Sequence, residues 1–367
     1  MPYNWQLQDW PAFQYNLDDL QEATSRFSES LGHVSGILKA LPKGPQTQSV
    51  IDMMVVEAIK TSAIEGETLS RQDVLSSIRN NLGLNTAPEQ VRDKRASGAA
   101  RLMVNVRETF AEPLREETLF AWHEMIMEGS RDIHAGQWRT HEAPMQIISG
   151  PFGRETVHFE APPSSRVPKE MEQFIQWFNA TGPEGPSFIA SPLIRSAVSH
   201  LYFESIHPFE DGNGRIGRAL AEKTLSQGIG RPILLSLSKT IEANRATYYD
   251  ALKTAQRSNE ITSWIEYFIN TILEAQREAE SMIEFTLIKT RFFDRYAELL
   301  NARQEKVLRR MLDEDPDGFE GGMSAKKYMS IAKTSKATAT RDMQQLMEWG
   351  IFVPLGEGRS RRYEVRI

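Results

Sequence analysis

His207-Pro208-Phe209-Glu210-Asp211-Gly212-Asn213-Gly214-Arg215-Ile216-Gly217-Arg218 is the stretch on which the reading of this chain turns. Gly212, Asn213 and Gly214 carry little bulk and tolerate unusual φ/ψ, so successive N–H groups can converge on one anion. A helix beginning here adds the partial positive charge of its N-terminus. Arg215 and Arg218, at i and i+3, then share one helix face, where their forked donors can grip outer phosphate oxygens. Asp211 offers a hard oxygen to Mg²⁺, which usually arrives with phosphates. His207 is the natural general base, because its ordinary pKa lies near neutrality. Pro208 stiffens the entry to the turn and Phe209 anchors it in the core. Such a set handles a polyphosphate and points to a nucleotide-using enzyme.

Gly212, Gly214 and Gly217 also satisfy G-x-G-x-x-G, the dinucleotide fingerprint, which needs a preceding strand and an acid about 20 positions on. Neither is present. Ile194, Ala197, Val198, Leu201, Tyr202 and Ser205 recur with helical period as one stripe, and residues 233–238 carry no acid. The pattern argues against a Rossmann site.

His207 to Arg218 matches the motif H-P-F-x-[D/E]-G-N-G-R-x-x-R at every specified position, and the chain thereby resembles the Fic family. The resemblance implies a mainly α fold that transfers AMP from ATP to a hydroxyl side chain (Ser, Thr or Tyr) of a target protein. By position, His207 would deprotonate the hydroxyl and Asp211 would hold Mg²⁺. Gly212, Asn213 and Gly214 would cradle the α- and β-phosphates, with Arg215 and Arg218 on the β/γ end. Residues 49–65 read as an amphipathic helix with Met54, Val55, Ala58, Ile59 and Ser62 on one side, and Gly66 suits its C′ position. Thr61 to Gly66 is similar to the family's inhibitory motif [S/T]-x-x-x-E-[G/N]. The similar proteins pair this glutamate with the second motif arginine, which implies a bidentate Glu65–Arg218 pair that blocks productive ATP binding.

Two β-prone runs, Met145–Ile148 and Thr156–Phe159, flank the turn-rich residues 149–154, and Ala161-Pro162-Pro163 ends the second. Fic-like proteins carry a flap here whose edge aligns the target by strand addition. Gly136-Gln137-Trp138-Arg139 resembles the run leading into it. Tyr248 and Tyr249 match an aromatic pair that in the family lies over adenine, although Gln256 stands where several relatives have asparagine. His200 and Glu204, at i and i+4, lack a third ligand and read as packing or support beneath His207. His123, His134, His141 and His158 take no role.

The chain has 367 residues, 43 Lys/Arg against 49 Asp/Glu, and no cysteine. Ordinary globular composition follows, without a disulfide framework or thiol chemistry. With no signal-peptide order at Met1–Trp5 and no membrane-length apolar run, the expected location is the cytoplasm. Breakers divide the chain into a helical region at 1–45 and a Fic domain at 46–280, with its inhibitory helix at 49–66 and flap at 144–160. A connecting helix (281–300) leads to a winged helix-turn-helix at 301–367. There, three helical patterns (302–312, 324–332, 336–349) lead to Ile351–Val353 and Arg362–Val365 around residues 356–359, which suits a wing. An acidic, glycine-rich loop is read at 313–322. Residues 323–367 hold nine Lys/Arg against four Asp/Glu, a net of +5. That asymmetry suits DNA, although such modules also dock proteins or form homodimers, and self-modification stays open. The alternative reading is a DNA-binding regulator whose Fic core senses nucleotide.

Overall fold

The computed structural model describes residues 2–16, 20–130, 132–149, 156–312, 319, 321–356 and 361–367. In chain order the helices and strands are α1 (Leu20–Ala40), α2 (Lys43–Ile64), α3 (Arg71–Asn81), α4 (Lys94–Glu108), α5 (Glu116–Ile126), β1 (Gln146–Ser149), β2 (Thr156–Glu160), α6 (Val167–Ala180), α7 (Pro192–Ile206) and α8 (Asn213–Ile229). There follow α9 (Leu237–Ala243), α10 (Arg245–Ala255), α11 (Thr262–Tyr296), α12 (Ala302–Leu312), α13 (Ala325–Ala332), α14 (Lys336–Glu348), β3 (Phe352–Leu355) and β4 (Arg362–Val365). The fold is mainly helical, with short antiparallel hairpins β1–β2 and β3–β4. Ser70, Ser191, Ser236, Ser324 and Ser335 each cap a helix by accepting a first-turn N–H. None of the described helices is long and apolar enough to cross a membrane.

The chain divides into two compact units, one of Met1–Gly32 with Val50–Ala279, the other of His33–Ser49 with Glu280–Ile367. In the first, α7 lies at the centre, buried at every position from Leu193 to Ile206. The single apolar stripe expected from its sequence is therefore corrected. Its polar residues are buried too, and several are paired: Ser196 Oγ donates to Ala221 O, Asn4 donates to Ser205 Oγ, and His200 Nε2 meets Tyr248 OH. Trp122 of α5, Phe174 and Phe178 of α6 and Phe209 complete the core around it.

α2 differs from expectation at its start. The Pro42 break is real, but Gly44 and Pro45 lie inside the first turn, so the helix begins six residues before 49. Proline costs nothing there, because first-turn N–H groups have no helical acceptor. In the hairpin, Gln146 pairs with Glu160 and Ser149 with Thr156, with an irregularity at Ile147/Ile148. The predicted turn at 150–154 lies outside the described residues. Trp5, in a 3₁₀ turn at Asn4–Gln6, donates its indole N–H to Glu160 O at 2.7 Å and braces the hairpin.

The second unit has its own core of Phe292, Phe293, Leu308, Tyr328, Leu346 and Ile351 among others. Within it, Arg303 Nε donates to Asp342 Oδ2 at 2.9 Å and Tyr328 OH donates to the same oxygen at 3.1 Å, which fixes α12 and α13 against α14. The hairpin runs Phe352↔Val365 to Leu355↔Arg362. Most of the predicted acidic loop (313–318 and 320) and of the wing tip (357–360) lies outside the described residues.

Candidate active site

The loop joining α7 to α8 is held from three sides. His207 closes α7 in the left-handed region, at φ 50°, with its N–H on Phe203 O at 2.9 Å. A non-glycine residue held there costs about 1–3 kcal/mol, which neighbouring contacts must offset. Arg139, 2% exposed, supplies them. Its Nε donates to His207 O at 2.8 Å, Nη2 to Pro162 O at 2.5 Å, and its own N–H to Pro208 O at 3.0 Å. Asn213 closes the loop into a ring: Oδ1 accepts from Phe209 N and Nδ2 donates to Phe209 O, both at 2.9 Å. Phe209 fills a slot, stacked on His123 at 4.1 Å and tilted on Trp138 at 4.9 Å. Gly212, at φ 81°, begins α8, and a β-carbon there would lie 2.5 Å from Ile126 Cδ1.

Both motif arginines are buried and engaged by residues at and beyond the end of α2. That end is a Schellman turn: Glu67 N–H reaches Ser62 O and Gly66 N–H reaches Ala63 O, each at 3.0 Å, with Gly66 at φ 83°. The turn projects two acids toward α8. Arg218 Nη2 donates to Glu65 Oε1 at 2.8 Å and to Thr61 O at 3.0 Å, while Nε donates to Thr61 Oγ1 at 2.8 Å. The bidentate pair expected from the sequence is thus corrected, since Thr61 takes the other side of the fork. Arg215 Nη1 donates to Glu67 Oε2 at 3.0 Å, and its Nη2 lies 3.3 Å from Asp211 Oδ2. A β-carbon on Gly214 would collide with the Glu65 carboxylate, which therefore sits over the first turn of α8. Although burial pushes Glu65 upward, the Arg218 guanidinium holds it below the usual carboxylate range. Helix N–H groups, dipole and two guanidinium groups make this an anion site, and a carboxylate lies in it.

The electrostatics suit a base. Burial, followed by the charge of Arg139, pushes the His207 imidazole down to about 4, so it is neutral at pH 7. Asp211 is about half exposed, with Oδ1 accepting Gly212 N–H at 2.6 Å. It belongs to no cluster of three metal-ligating side chains among the described residues. A lone exposed carboxylate fits Mg²⁺, whose remaining positions go to waters and substrate phosphates.

Tyr248 is corrected from its sequence reading. It is 1% exposed and its hydroxyl meets His200 Nε2 at 2.8 Å, so its ring is packing and offers no face to a base. Tyr249 is half-buried and lines a cavity of about 620 Å³ with Arg245, Gln256, Ile148 and Phe159. Sequence reasoning missed Thr61 and Glu67 as arginine partners, Arg139 as the loop clamp and His123 as the Phe209 support. An acid directly after the Glu65-Gly66 pair was the available signal for Glu67. The others become visible only when distant segments meet.

Comparison with known proteins matches two segments of the chain. Residues 113–225 match the model of the Fic/DOC family, and residues 3–84 match a domain of unknown function, DUF4172. Protein adenylyltransferase Fic of Nematostella vectensis is 22% identical over 276 residues, covering 73% of this chain and 58% of that protein. Protein adenylyltransferase fic-1 of Caenorhabditis elegans is 24% identical over 139 residues, 38% of this chain and 23% of that protein. The Culex quinquefasciatus protein of the same name as the first is 33% identical over 89 residues, 24% and 16% respectively. The chain thus spans less than two thirds of these relatives. In fold it is similar to a crystal structure of a Fic family protein from Desulfovibrio desulfuricans G20, with TM-score 0.53 at 22% identity over 96% of this chain and 98% of that one. A Fic domain-containing signaling protein from Bacteroides thetaiotaomicron gives 0.55 at 17% identity over 72% and 97%. It is the segment at 113–225, with the complete His207–Arg218 motif inside it, that matches the Fic/DOC family.

Proposed function

We propose that this protein transfers AMP from ATP to a hydroxyl side chain of a target protein and is restrained by its own 61–67 segment. His207 Nε2 takes the hydroxyl proton as the oxygen attacks the α-phosphorus. The bond to the bridging oxygen breaks, and pyrophosphate leaves with the electron pair. First-turn N–H groups at Gly212, Asn213 and Gly214 cradle the inner phosphates, and Arg215 and Arg218 hold the outer ones. Asp211 would hold Mg²⁺, which when bound neutralises charge on the phosphates. The β1–β2 hairpin receives the target strand; Ile148 and Val157 on it are 53% and 40% exposed. An ATP substrate and the absence of cysteine agree with a cytoplasmic location.

The observation that carries this reading is the occupancy of Arg218. A 2% exposed guanidinium facing an anion site is spent on Thr61 and Glu65, so a γ-phosphate must displace a carboxylate to reach it. Incubation with ATP labelled at the α-phosphate, Mg²⁺ and cell lysate tests it. Wild type should label weakly, Glu65→Gly strongly and His207→Ala not at all. Equal labelling by Glu65→Gly and wild type defeats the restraint; normal labelling by His207→Ala defeats the base.

For the second unit we propose a winged helix-turn-helix that binds DNA. α14 buries Ala339, Met343 and Leu346 and exposes Lys336, Thr340, Arg341 and Gln344, a polar, basic face beside a hairpin carrying Arg361 and Arg362. Fluorescence anisotropy with a labelled duplex should show affinity falling steeply with salt. Absence of binding at low salt would leave the face to a protein or a second copy.

A further inference from the structure

We propose that Glu204 is a positioning residue for His207: its carboxylate accepts the Nδ1 proton of the imidazole and so leaves the Nε2 lone pair free to act as base. The inference deepens the transfer reading and rests on the base assignment made there. Its ground is a pair of buried side chains that face each other, beside a Glu204 backbone carbonyl that also faces the ring. His207 Nδ1 and Glu204 Oε1 are both buried and have no side-chain hydrogen-bond partner among the described residues, and Glu204 Oε2 lies 3.7 Å from Nδ1. A movement of under about 1 Å brings the pair to hydrogen-bond distance. Glu204 sits on the last turn of α7, three residues before His207, so the helix itself aims it.

The surroundings make room for this carboxyl. A β-carbon on Gly217 of α8 would collide with Glu204 Oε1 and lie 3.2 Å from His200 Nδ1. That glycine, meaningless as part of a dinucleotide fingerprint, is the floor of a slot for a buried acid. Nearly inaccessible carboxyls are uncommon in a core unless they have a partner or a task.

Charge in the slot sets when the device works. Glu204 faces Arg218 of α8, Glu65 beyond α2, Tyr248 of α10 and His200 on its own helix. His207 faces Arg139, Glu65, Asp211 and the Glu204 backbone carbonyl. Burial raises Glu204 to about 8, Arg218 opposes the rise and Glu65 adds to it. While protonated, Glu204 can donate its O–H to Nδ1, which favours the ring proton on Nε2 and weakens the base. Once ionised it accepts from Nδ1 and the base is free. Activity therefore rises with pH through a limb set by Glu204. Removal of Glu65 takes away one raising charge and moves that limb downward.

Two measurements test the assignment. Turnover of α-labelled ATP onto lysate protein is followed from pH 5.5 to 9 in the Glu65→Gly background, with and without Glu204→Gln or Glu204→Asp. Glu204→Gln should lower kcat about 10- to 100-fold, as loss of an orienting partner commonly does, with little change in KM for ATP. The alkaline rise should disappear, and Glu204→Asp should restore part of it. Separately, ¹⁵N-histidine spectra of the unreacted protein should show the His207 tautomer changing with pH in the wild type and fixed in Glu204→Gln. The spectra need no turnover, so they judge this inference even where transfer itself is refuted. An unchanged tautomer, or an unchanged pH profile with only a loss of Tm, overturns it and leaves ring orientation to the Glu204 backbone carbonyl.

Discussion

Replacing Glu67 by alanine isolates the second of the two contacts that hold the motif arginines. The Arg215–Glu67 contact is 3.0 Å long, and its side chains are 4% and 25% exposed. A charge-assisted hydrogen bond in such a place contributes about 1.5–3 kcal/mol. Solvent at Glu67 and the remaining Asp211 contact at 3.3 Å reduce this to about 1–2 kcal/mol. If the restrained state dominates in the wild type, that loss raises the productive population about 5- to 30-fold. The assay is initial labelling rate with α-labelled ATP and Mg²⁺, with thermal unfolding measured beside it. Glu67→Ala should label faster, melt lower without nucleotide, and recover most of the lost stability when ATP supplies a new partner for Arg215. Combined with Glu65→Gly it should give less than the product of the single effects, because both acids close over one site. An unchanged rate in Glu67→Ala alongside an active Glu65→Gly would show that Arg215 is already available to phosphate. A slower rate would make Glu67 a support for the nucleotide, and the reasoning would fail.

Further outcomes follow from the same geometry. Asn213→Ala leaves the buried N–H and C=O of Phe209 unpaired, at about 1–3 kcal/mol each, so urea unfolding should show a marked loss together with loss of labelling. Tyr248→Phe removes only the bond to His200 and should cost about 1 kcal/mol with KM for ATP unmoved, whereas Tyr249→Ala should raise KM; the opposite pattern would return Tyr248 to the adenine site. Glu65 is held below its ordinary value, so its contribution is complete above that value and is lost only as pH falls through the lowered one. With Glu204→Gln in both proteins, which removes the limb set by Glu204, the rate ratio of Glu65→Gly to Glu65 should accordingly stay flat from pH 6 to 8, and a slope across that window would implicate another group.

The loop and its fold were legible because their physics is local. Helical period precedes the glycine run, which speaks against strand-based nucleotide folds. The same locality limited the reading. α7 reads as a single apolar stripe because helical period cannot report that its other faces are covered too, with Ser205 meeting the N-terminal segment, Ser196 meeting α8 and His200 meeting α10. Arg139 lies 68 residues from His207, whose carbonyl it holds, and Glu67 lies 148 residues from Arg215. No periodicity reports such pairs. Tyr248 was misplaced for a related reason: adjacent aromatics on a helix point about 100° apart, so one of two neighbours faces the core.

The features that make the loop attract phosphate also explain why a carboxylate can restrain it. The first turn of α8 presents unpaired N–H groups, and Arg215 and Arg218 are buried where exposed water is scarce. An empty site of this kind would leave two guanidinium groups uncompensated at a cost of several kcal/mol. Glu65 and Glu67 remove that cost. They are single charges facing ATP's several, but the Schellman turn at Gly66 tethers them in place, where effective concentrations reach the millimolar range. A weak anion held locally can thereby compete with a stronger one arriving from solution. Loosening the tether without touching either acid should then also release the enzyme. Gly66, at φ 83° with open space around its Cα, is where that can be done: an alanine meets no neighbour but strains the backbone by about 1 kcal/mol. Gly66→Ala should activate labelling several-fold while both carboxylates remain, and if it does not, the turn is incidental and the acids act through their contacts alone.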